Sequence, residues 1–484
     1  MEPRDAFGRD QTRRQFLGRS TTGIGVMALA SLLNGRTWAA GPGVSPGLPT
    51  EGAMPSLHFA PKAKRVIYMF QSGGPSHLDL FDPKPELVKR TGEELPASIR
   101  GGQRITGMTS GQKNFPVVGA AGKFVRYGQS GAEMSEYLPQ IGSIADEITL
   151  IRSMHTDPIN HDPAVTYLLT GHQQPGRPTL GSWLSYGLGS VNKDLPEYVV
   201  LISGAGGQPL LSRYWHNGFL PSSHQGVPFR SAGDPVLFVS DPPGIDRASR
   251  RDLLDGVREL DQIRLDTVGD PEIAARINSY EMAYRMQASV PELMDIGRES
   301  KEVLELYGAE PGKASFANNC LLARRLAERD VRFVQLYHRD WDHHGSLPAE
   351  IRRQCGQVDK PAAALVKDLK RLGLLDETLV IWGGEFGRTA YSQGAITKDS
   401  FGRDHHPRCF SIWMAGGGIK KGQVFGRTDD YGYNIAQDPV HAHDFQATVL
   451  HCLGVDHTRM TYRSQGRDFR LTDVSGCVVP ELLA

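Results

Sequence analysis

The sequence predicts an α/β protein with an open, mostly parallel sheet and helices on both faces. Short apolar runs rich in β-branched or aromatic residues recur along the 484 residues. These runs are apolar at both alternating positions, which is typical of strands buried on both faces. Segments with apolar residues at helical spacing lie between them, and this alternation favours parallel strands joined by helices.

Six runs are predicted to form the sheet. Each is short and apolar, and a polar or glycine-rich stretch follows it. In chain order they are Arg65–Phe70, Ile148–Ile151, Glu197–Ile202, Val331–Tyr337, Thr378–Trp382 and Cys409–Met414.

Helices are predicted where apolar residues recur at three- and four-residue intervals. Pro361–Leu372 carries such a pattern and is followed by Gly373, a typical stop. Asp444–Leu453 carries a second one, with Asp444 as the candidate N-cap. Residues 250–307 are mostly helical in pattern and highly charged, so we interpret them as a helical insertion on the outside of the sheet.

The first 39 residues have the features of an export signal. Arg13 and Arg14 precede a weakly apolar stretch, and small residues suited to cleavage lie near Ala39. Paired arginines before such a stretch are typical of the twin-arginine signal, so we expect a periplasmic or extracellular protein. The predicted organisation is an export signal at 1–39, a Gly/Pro-rich linker at 40–62 and an α/β domain at 63–484.

The composition excludes several classes of function. Lys+Arg and Asp+Glu each number 54, and a net charge of zero argues against a nucleic-acid binder. No apolar run reaches the roughly 20 residues that span a bilayer, so no membrane span is expected. The five cysteines are widely spaced, and buried free thiols explain them more simply than one or two disulfides.

Acidic and histidine side chains follow most of the predicted strands. In open α/β sheets, ligands collect at the carboxyl ends of the strands. Carboxylates and imidazoles are usual ligands for zinc, manganese or iron, so the clustering predicts a divalent metal site. Helix caps and polar turn residues are the alternative explanation. The loops in question carry Asp79, His161, Asp342 with His344, Glu385, and His405.

Several motifs together resemble the family of domains of unknown function numbered 1501, within the alkaline phosphatase and sulfatase superfamily. They include Gly-Gly-Pro-Ser-His-Leu-Asp at 73–79, Trp-Asp-His-His at 341–344, Gly-Glu-Phe-Gly-Arg-Thr at 384–389 and Gly-Arg-Asp-His-His-Pro at 402–407. The resemblance implies an alkaline phosphatase-like fold. It also implies one or two divalent metals at the strand ends and a Ser, Thr or modified Cys that attacks phosphorus or sulfur.

The chain departs from the superfamily pattern at three places, and the first is the end of the first strand, where Gln71-Ser72 stands in place of a common Asp ligand. His161-Asp-Pro-Ala-Val165 stands where sulfatases have Cys-x-Pro-Ser-Arg, so an imidazole occupies the nucleophile position. Glu385-Phe386 stands where Asp-His is usual, and Phe386 cannot bind a metal. We assign His161 as the catalytic residue and expect a zinc, manganese, calcium or iron ion. The expected metal ligands are Asp342, His344, Glu385 and His405, with Asp79 and, as the alternative to its catalytic role, His161 as further candidates.

The expected function is that of an exported metal-dependent hydrolase of phosphate or sulfate esters. The substrate would be a small molecule or an ester carried on a polysaccharide. Pro163 predicts a helix start at that residue, which puts His161 just before a helix N-terminus that attracts anions. The alternative is a non-catalytic metal- or ligand-binding protein that reuses the fold. The altered nucleophile position favours this alternative, and the retained Asp, Glu and His favour the enzyme.

Overall fold

A nine-stranded sheet lies at the centre of the computed structural model, which describes residues 52–236, 241, 244–397 and 399–484. The predicted export signal and the first part of the predicted linker lie outside the described residues. The strands are β1 Arg65–Gln71, β2 Ile148–His155, β3 Tyr198–Ser203, β4 Val227–Phe229, β5 Phe333–His338, β6 Thr378–Gly383, β7 Phe410–Ala415, β8 Gln423–Phe425 and β9 Val440–His441.

The strand order is β8-β2-β7-β6-β1-β5-β3-β4, with β9 paired to β2. Strand β1 runs parallel to both β5 and β6, and β3 runs parallel to β5. Only β7 is antiparallel to its neighbours β2 and β6 within this sheet. Because the other strands point the same way, their carboxyl ends share one edge of the sheet, and the loops that leave this edge carry the predicted site.

The predicted fold class is confirmed. All six predicted strands are strands of the central sheet, with ends that differ by one or two residues except at β2. Strand β2 continues four residues past Ile151 because Val440 and His441 of β9 pair with Met154 and His155.

The helices are α1 His77–Leu80, α2 Pro85–Lys89, α3 Ala97–Arg100, α4 Pro139–Gly142, α5 His161–Thr170, α6 Leu180–Leu188, α7 Arg247–Val268, α8 Pro271–Met294, α9 Lys301–Tyr307, α10 Phe316–Ala327, α11 Leu347–Arg371 and α12 Ala442–Cys452. Helices α7, α8 and α9 occupy the segment predicted as an insertion. Among the described helices, none combines the length and the apolar character needed to cross a membrane.

Three predicted helix starts were wrong. Helix α11 begins at Leu347 and contains Pro361, because burial of Ile351, Cys355 and Val358 extends its apolar face upstream. Helix α12 has His441 rather than Asp444 as its N-cap. Asp444 is the third residue of the helix, and its carboxylate accepts the His441 N–H at 3.0 Å in a capping box.

Helix α5 begins at His161, two residues before the predicted start at Pro163. Proline is tolerated there because the first-turn N–H groups of a helix have no intrahelical partner. His161 is therefore the first residue of the helix itself.

The sheet separates two apolar layers. Alternate residues of β1 enter different layers: Ile67 and Met69 pack with α4, α10 and α11, whereas Tyr68 and Phe70 pack with α5, α6 and α12. Helices on both faces explain why the strand sequences are continuously apolar. The end of the predicted linker also contacts this body, since Ala53 N–H donates to the Tyr186 carbonyl at 2.8 Å.

Candidate metal centre

Four side chains from three separate parts of the chain meet at the carboxyl edge of the sheet. His161 opens α5 after the β2 loop, and Asp342 and His344 lie in the loop after β5. His405 lies on a short strand, Arg403–His406, which pairs with Gly387–Ser392 in a two-stranded ribbon after β6. The fold therefore brings together residues that are far apart in the sequence.

The potential ligand atoms converge on one point. The Asp342 Oδ1 atom lies 2.7 Å from Nε2 of His344, 3.1 Å from Nε2 of His161 and 3.4 Å from Nε2 of His405. The ligand atoms of all four residues lie within 4.8 Å of one another. Within the described part of the chain, no other group of three or more His, Cys, Asp or Glu residues meets this geometric standard.

In each of the three histidines, the ring nitrogen that faces away from the shared point, Nδ1, contacts a hydrogen-bond acceptor. The Nδ1 atom of His161 contacts Glu385 Oε1 at 2.6 Å, and Nδ1 of His405 contacts the Ile159 carbonyl at 2.9 Å. The Nδ1 atom of His344 contacts Gln393 Oε1. Since these oxygens can only accept, each Nδ1 carries a proton, and a ring that is neutral presents its Nε2 lone pair to the shared point.

This arrangement fits a divalent cation. The Nε2 atom of His161 is buried and has no hydrogen-bond partner, although it lies close to Asp342. Three imidazole nitrogens and one carboxylate oxygen face one another, and although Arg388 donates to the Asp342 carboxylate, no donor serves all four atoms. A cation satisfies all four atoms together, which matches the ligand types of transition-metal sites.

The charges around Asp342 keep it ionised. Burial raises the pKa of this carboxyl, but the hydrogen bonds of His161, His344 and His405 and the charge of Arg388 hold it well below its ordinary value. The Arg388 Nη2 atom lies 2.7 Å from Asp342 Oδ1, and its side chain is 1% exposed. Arg388 also donates to the backbone carbonyls of Gly73 and Gly74, so it fixes the carboxylate in place.

The pKa values of His405 and His161 are shifted in opposite directions. Burial lowers the pKa of His405 to about 4, so this ring is neutral at neutral pH. Burial also acts to lower the pKa of His161, but Asp342 and Glu385 outweigh it and raise that pKa above its ordinary value. A cation bound to Nε2 of His161 would displace the proton that these carboxylates favour.

Glu385 lies behind His161 rather than beside the other ligand atoms. Its side chain is fully buried, and it accepts the Gly73 N–H at 2.9 Å in addition to the His161 contact. The structure therefore places Glu385 where it orients the His161 imidazole, not where it contacts the shared point. The Nε2 atom of His161, expected either as the catalytic group or as a metal ligand, lies at that point.

Asp79 does not reach the cluster. Its carboxylate pairs with Arg403 at 2.8 Å, and both side chains are fully buried. It also accepts the Ala121 N–H at 2.7 Å and the Ser76 hydroxyl. These contacts turn the carboxylate toward Arg403 and away from a ligand role.

Arg388 is the site residue that sequence reasoning missed, whereas Phe386 was noted there as a residue that cannot bind a metal. The Phe386 ring packs against the rings of His161 and His405, with centroids 4.9 and 4.7 Å apart, so one side of the cluster is apolar. Arg388 lies in the Gly-Glu-Phe-Gly-Arg-Thr motif. An arginine in a motif that directly follows a predicted strand was the available signal.

The fold and the site together define an α/β protein with a buried His/Asp cluster at the carboxyl edge of a mostly parallel sheet. The chain belongs to the family described as protein of unknown function (DUF1501), whose model matches residues 63–483. The family expected from the sequence motifs is thereby confirmed. No curated protein matches the chain.

The chain is also similar to several solved structures. A protein in the alkaline phosphatase superfamily from Vibrio parahaemolyticus is 10% identical, with a TM-score of 0.35, over 86% of this chain and 72% of that one. The PsFucS1 sulfatase from Pseudoalteromonas sp. is 13% identical, with a TM-score of 0.33, over 81% and 68%. The phosphonate monoester hydrolase SpPMH from Silicibacter pomeroyi is 11% identical, with a TM-score of 0.29, over 81% and 73%. Likenesses this distant carry no information about the reaction of this chain.

Replacing Glu385 by glutamine is expected to weaken metal binding without abolishing it. The amide oxygen can still accept from His161 Nδ1, but the negative charge that makes the ring a better ligand is lost. Removing a partner of this kind costs about 10–100-fold in metal affinity. Competition with a chelator of known affinity measures the change. Complete loss of metal from a folded Glu385→Gln variant would instead make Glu385 a direct ligand.

Proposed function

We propose that the chain is an exported metal-dependent hydrolase of phosphate or sulfate esters in which His161, Asp342, His344 and His405 hold one divalent cation. The observation that carries the proposal is the convergence of three Nε2 atoms and one carboxylate oxygen on a single point. A bound divalent cation supplies Lewis-acid polarisation of an ester oxygen.

The donor set favours zinc, manganese or iron over calcium. Calcium takes about six to eight ligands, and these are oxygens. Three of the four ligand atoms in this cluster are imidazole nitrogens, which suit transition metals. Calcium, included in the expectation from the sequence, is therefore left out of the proposal.

Helix α5 supports an anionic substrate. His161 is its first residue, so the helix N-terminus lies at the cluster. Asn160 makes no side-chain capping hydrogen bond, which leaves first-turn N–H groups for another acceptor. A helix N-terminus and a metal cation both attract negative charge. These features favour a phosphate or sulfate ester, either on a small molecule or on a polysaccharide.

Water is the proposed nucleophile. The cluster contains no hydroxyl or thiol side chain. Neither nitrogen of His161 is available to attack the substrate, because Nδ1 contacts Glu385 and Nε2 faces the shared point. The side chains of Asp342 and His344 are 12% and 23% exposed, so the cluster is open to solvent on their side. Water and an ester group can approach from that side.

A non-catalytic metal-binding protein is the second candidate, and one observation favours it. Four protein ligands complete a tetrahedral sphere, which is typical of structural zinc sites, whereas catalytic zinc sites have three and keep one position open. Manganese and iron accept more than four ligands and would keep a position free for substrate.

Turnover assays on the mature chain separate the two candidates. Protein loaded with zinc, manganese or iron is assayed against nitrophenyl phosphate, nitrophenyl phosphate diesters and nitrophenyl sulfate. The hydrolase proposal expects turnover that disappears in a folded His344→Ala variant. Absence of turnover for every fully loaded form would favour the metal-binding protein.

We also propose export by the twin-arginine route. Changing Arg13 and Arg14 together to lysine is expected to leave the precursor in the cytoplasm, because the paired arginines are the recognised feature. Cell fractionation and immunoblotting measure the distribution, with a Lys62→Arg and Lys64→Arg variant as a charge-matched control. Unchanged export of the double lysine variant would exclude this route.

A further inference from the structure

A serine and a histidine at the ends of neighbouring strands form a hydrogen-bonded pair outside the four-residue metal cluster. Ser203 ends β3 and His338 ends β5, and the two residues face each other in register. The Ser203 Oγ atom lies 3.0 Å from His338 Nδ1. Ser203 is 7% exposed and His338 is 1% exposed, so the fold holds both in place.

The amide of Gln354 determines which imidazole nitrogen of His338 carries the proton. Its Nε2 donates to the backbone carbonyls of Asp340 at 2.6 Å and Arg339 at 3.3 Å. Its Oε1 therefore faces His338 and accepts from Nε2 at 2.8 Å. The lone pair of the ring is then on Nδ1, and the Ser203 hydroxyl donates to it.

Ser203 thus has the contacts of an activated nucleophile. A nucleophile, a base in hydrogen-bond reach and a third group that orients the base are the recurring parts of such sites. The Ser203 Oγ also lies 3.3 Å from the Tyr337 carbonyl, but the contact with His338 is shorter. Burial lowers the pKa of His338 to about 4, so the ring is unprotonated at neutral pH.

The loop directly after Ser203 offers backbone donors. Gly204, Gly206 and Gly207 have φ of +83°, +90° and +62°. In the described part of the chain, none of their N–H groups donates a hydrogen bond. A Cβ at Gly204 or Gly207 would lie 2.8 or 2.9 Å from backbone atoms of Arg339 or Asp340, so only glycine fits. Free N–H groups in such loops form anion-binding concavities.

We propose that Ser203 is the nucleophile of a second, metal-independent activity: hydrolysis of carboxylic esters with small acyl groups. The low exposure of Ser203 restricts the acyl group to a small one. The Oγ atom bonds to the acyl carbon and its proton passes to His338 Nδ1. The bond between the acyl carbon and the alcohol oxygen breaks, and the alcohol leaves with that proton. Water then adds to the acyl carbon and gives a proton to His338 Nδ1. The bond between the acyl carbon and Ser203 Oγ breaks, Oγ takes that proton from His338, and the carboxylic acid leaves.

Ser185 provides a matched comparison within the same chain. It is also buried, and its Oγ lies 2.7 Å from His224 Nδ1. However, the Ser185 hydroxyl donates to Glu197 Oε2, so its proton is directed to a carboxylate rather than to the imidazole. The geometry therefore predicts a reactive Ser203 and an unreactive Ser185.

Labelling with a fluorophosphonate probe tests the proposal on the mature chain. Serine nucleophiles displace fluoride from such probes and form a stable adduct. We expect one adduct per chain, mapped by peptide mass spectrometry to Ser203, and equal labelling after removal of metal with a chelator. An adduct on Ser185 or no adduct on Ser203 in the folded chain would overturn the proposal. Labelling of Ser203 that persists after chelation distinguishes this activity from the proposed hydrolase function, which requires the metal.

Two variants and one control complete the test. Ser203→Ala should lose both the adduct and hydrolysis of nitrophenyl acetate. His338→Gln should label at least about 100-fold more slowly, the usual contribution of a positioned base. Ser185→Ala should label at the wild-type rate. Labelling of His338→Gln at the wild-type rate would show that His338 does not activate Ser203. If His338→Gln does not fold, the position of the probe adduct in the wild-type chain is sufficient to support or overturn the proposal.

Discussion

An Asp342→Asn variant is expected to lose its bound metal. Among the residues that the structure describes, Asp342 supplies the one carboxylate oxygen at the point where the three imidazoles meet, and it lies 2.7 Å from Arg388. Without that charge, a cation would have to bind next to the buried guanidinium with no counterion. We expect metal affinity to fall by more than the roughly 10–100-fold cost of losing an outer partner. Elemental analysis of dialysed protein and chelator competition measure this loss.

Asp340→Asn is the matched control for this variant. Asp340 lies in the same loop, but its carboxylate pairs with Arg353 at the surface, where the two side chains are 26% and 44% exposed. We expect it to keep the wild-type metal content. Equal metal content in Asp342→Asn and Asp340→Asn, both folded, would contradict the assignment of Asp342 as a ligand.

An Asp79→Asn variant is expected to lose stability and to keep its metal. The Asp79 and Arg403 side chains are both fully buried and lie 2.8 Å apart. Removing one partner of a buried ion pair leaves an uncompensated charge and costs about 3–5 kcal/mol. Urea unfolding measures the free energy of unfolding, and elemental analysis of the same sample measures the metal.

The control for Asp79 is Asp468→Asn. Asp468 pairs with Arg463 at the surface, with side chains 57% and 69% exposed, and such pairs contribute about 1 kcal/mol or less. A stable Asp79→Asn variant without metal would show that Asp79 is a ligand. A destabilised variant with metal supports its role as the partner of Arg403.

Much of the fold could be predicted because it depends on local patterns. Strands β1, β5 and β6 are continuously apolar, and this property is visible along a single segment. The shared direction of β2, β5 and β6 then places the loops with His161, Asp342 and His405 at one edge. The meeting of these residues thus follows from the general rule that ligands collect at the carboxyl ends of strands.

The roles of the acidic residues depend on contacts that the sequence does not contain. Asp79 pairs with Arg403, which is 324 positions away, and nothing in either local motif indicates that pair. Glu385 was expected to contact the metal, but the Gly73 N–H holds its carboxylate behind the His161 imidazole, and Nε2 of His161 faces the shared point instead. Side-chain direction within a loop is decided by such partners, so residue type and spacing alone could not distinguish a ligand from the group that orients it.

Anomalous X-ray diffraction from crystals of the metal-loaded protein tests the central claim most directly. We predict one peak per chain at about 2.0–2.2 Å from Nε2 of His161, His344 and His405 and from Asp342 Oδ1, the usual ligand distances for zinc. Glu385 would contact His161 and not the metal. A peak coordinated by Glu385 or Asp79, a peak at another place, or no peak in protein that elemental analysis shows to contain metal would contradict the account.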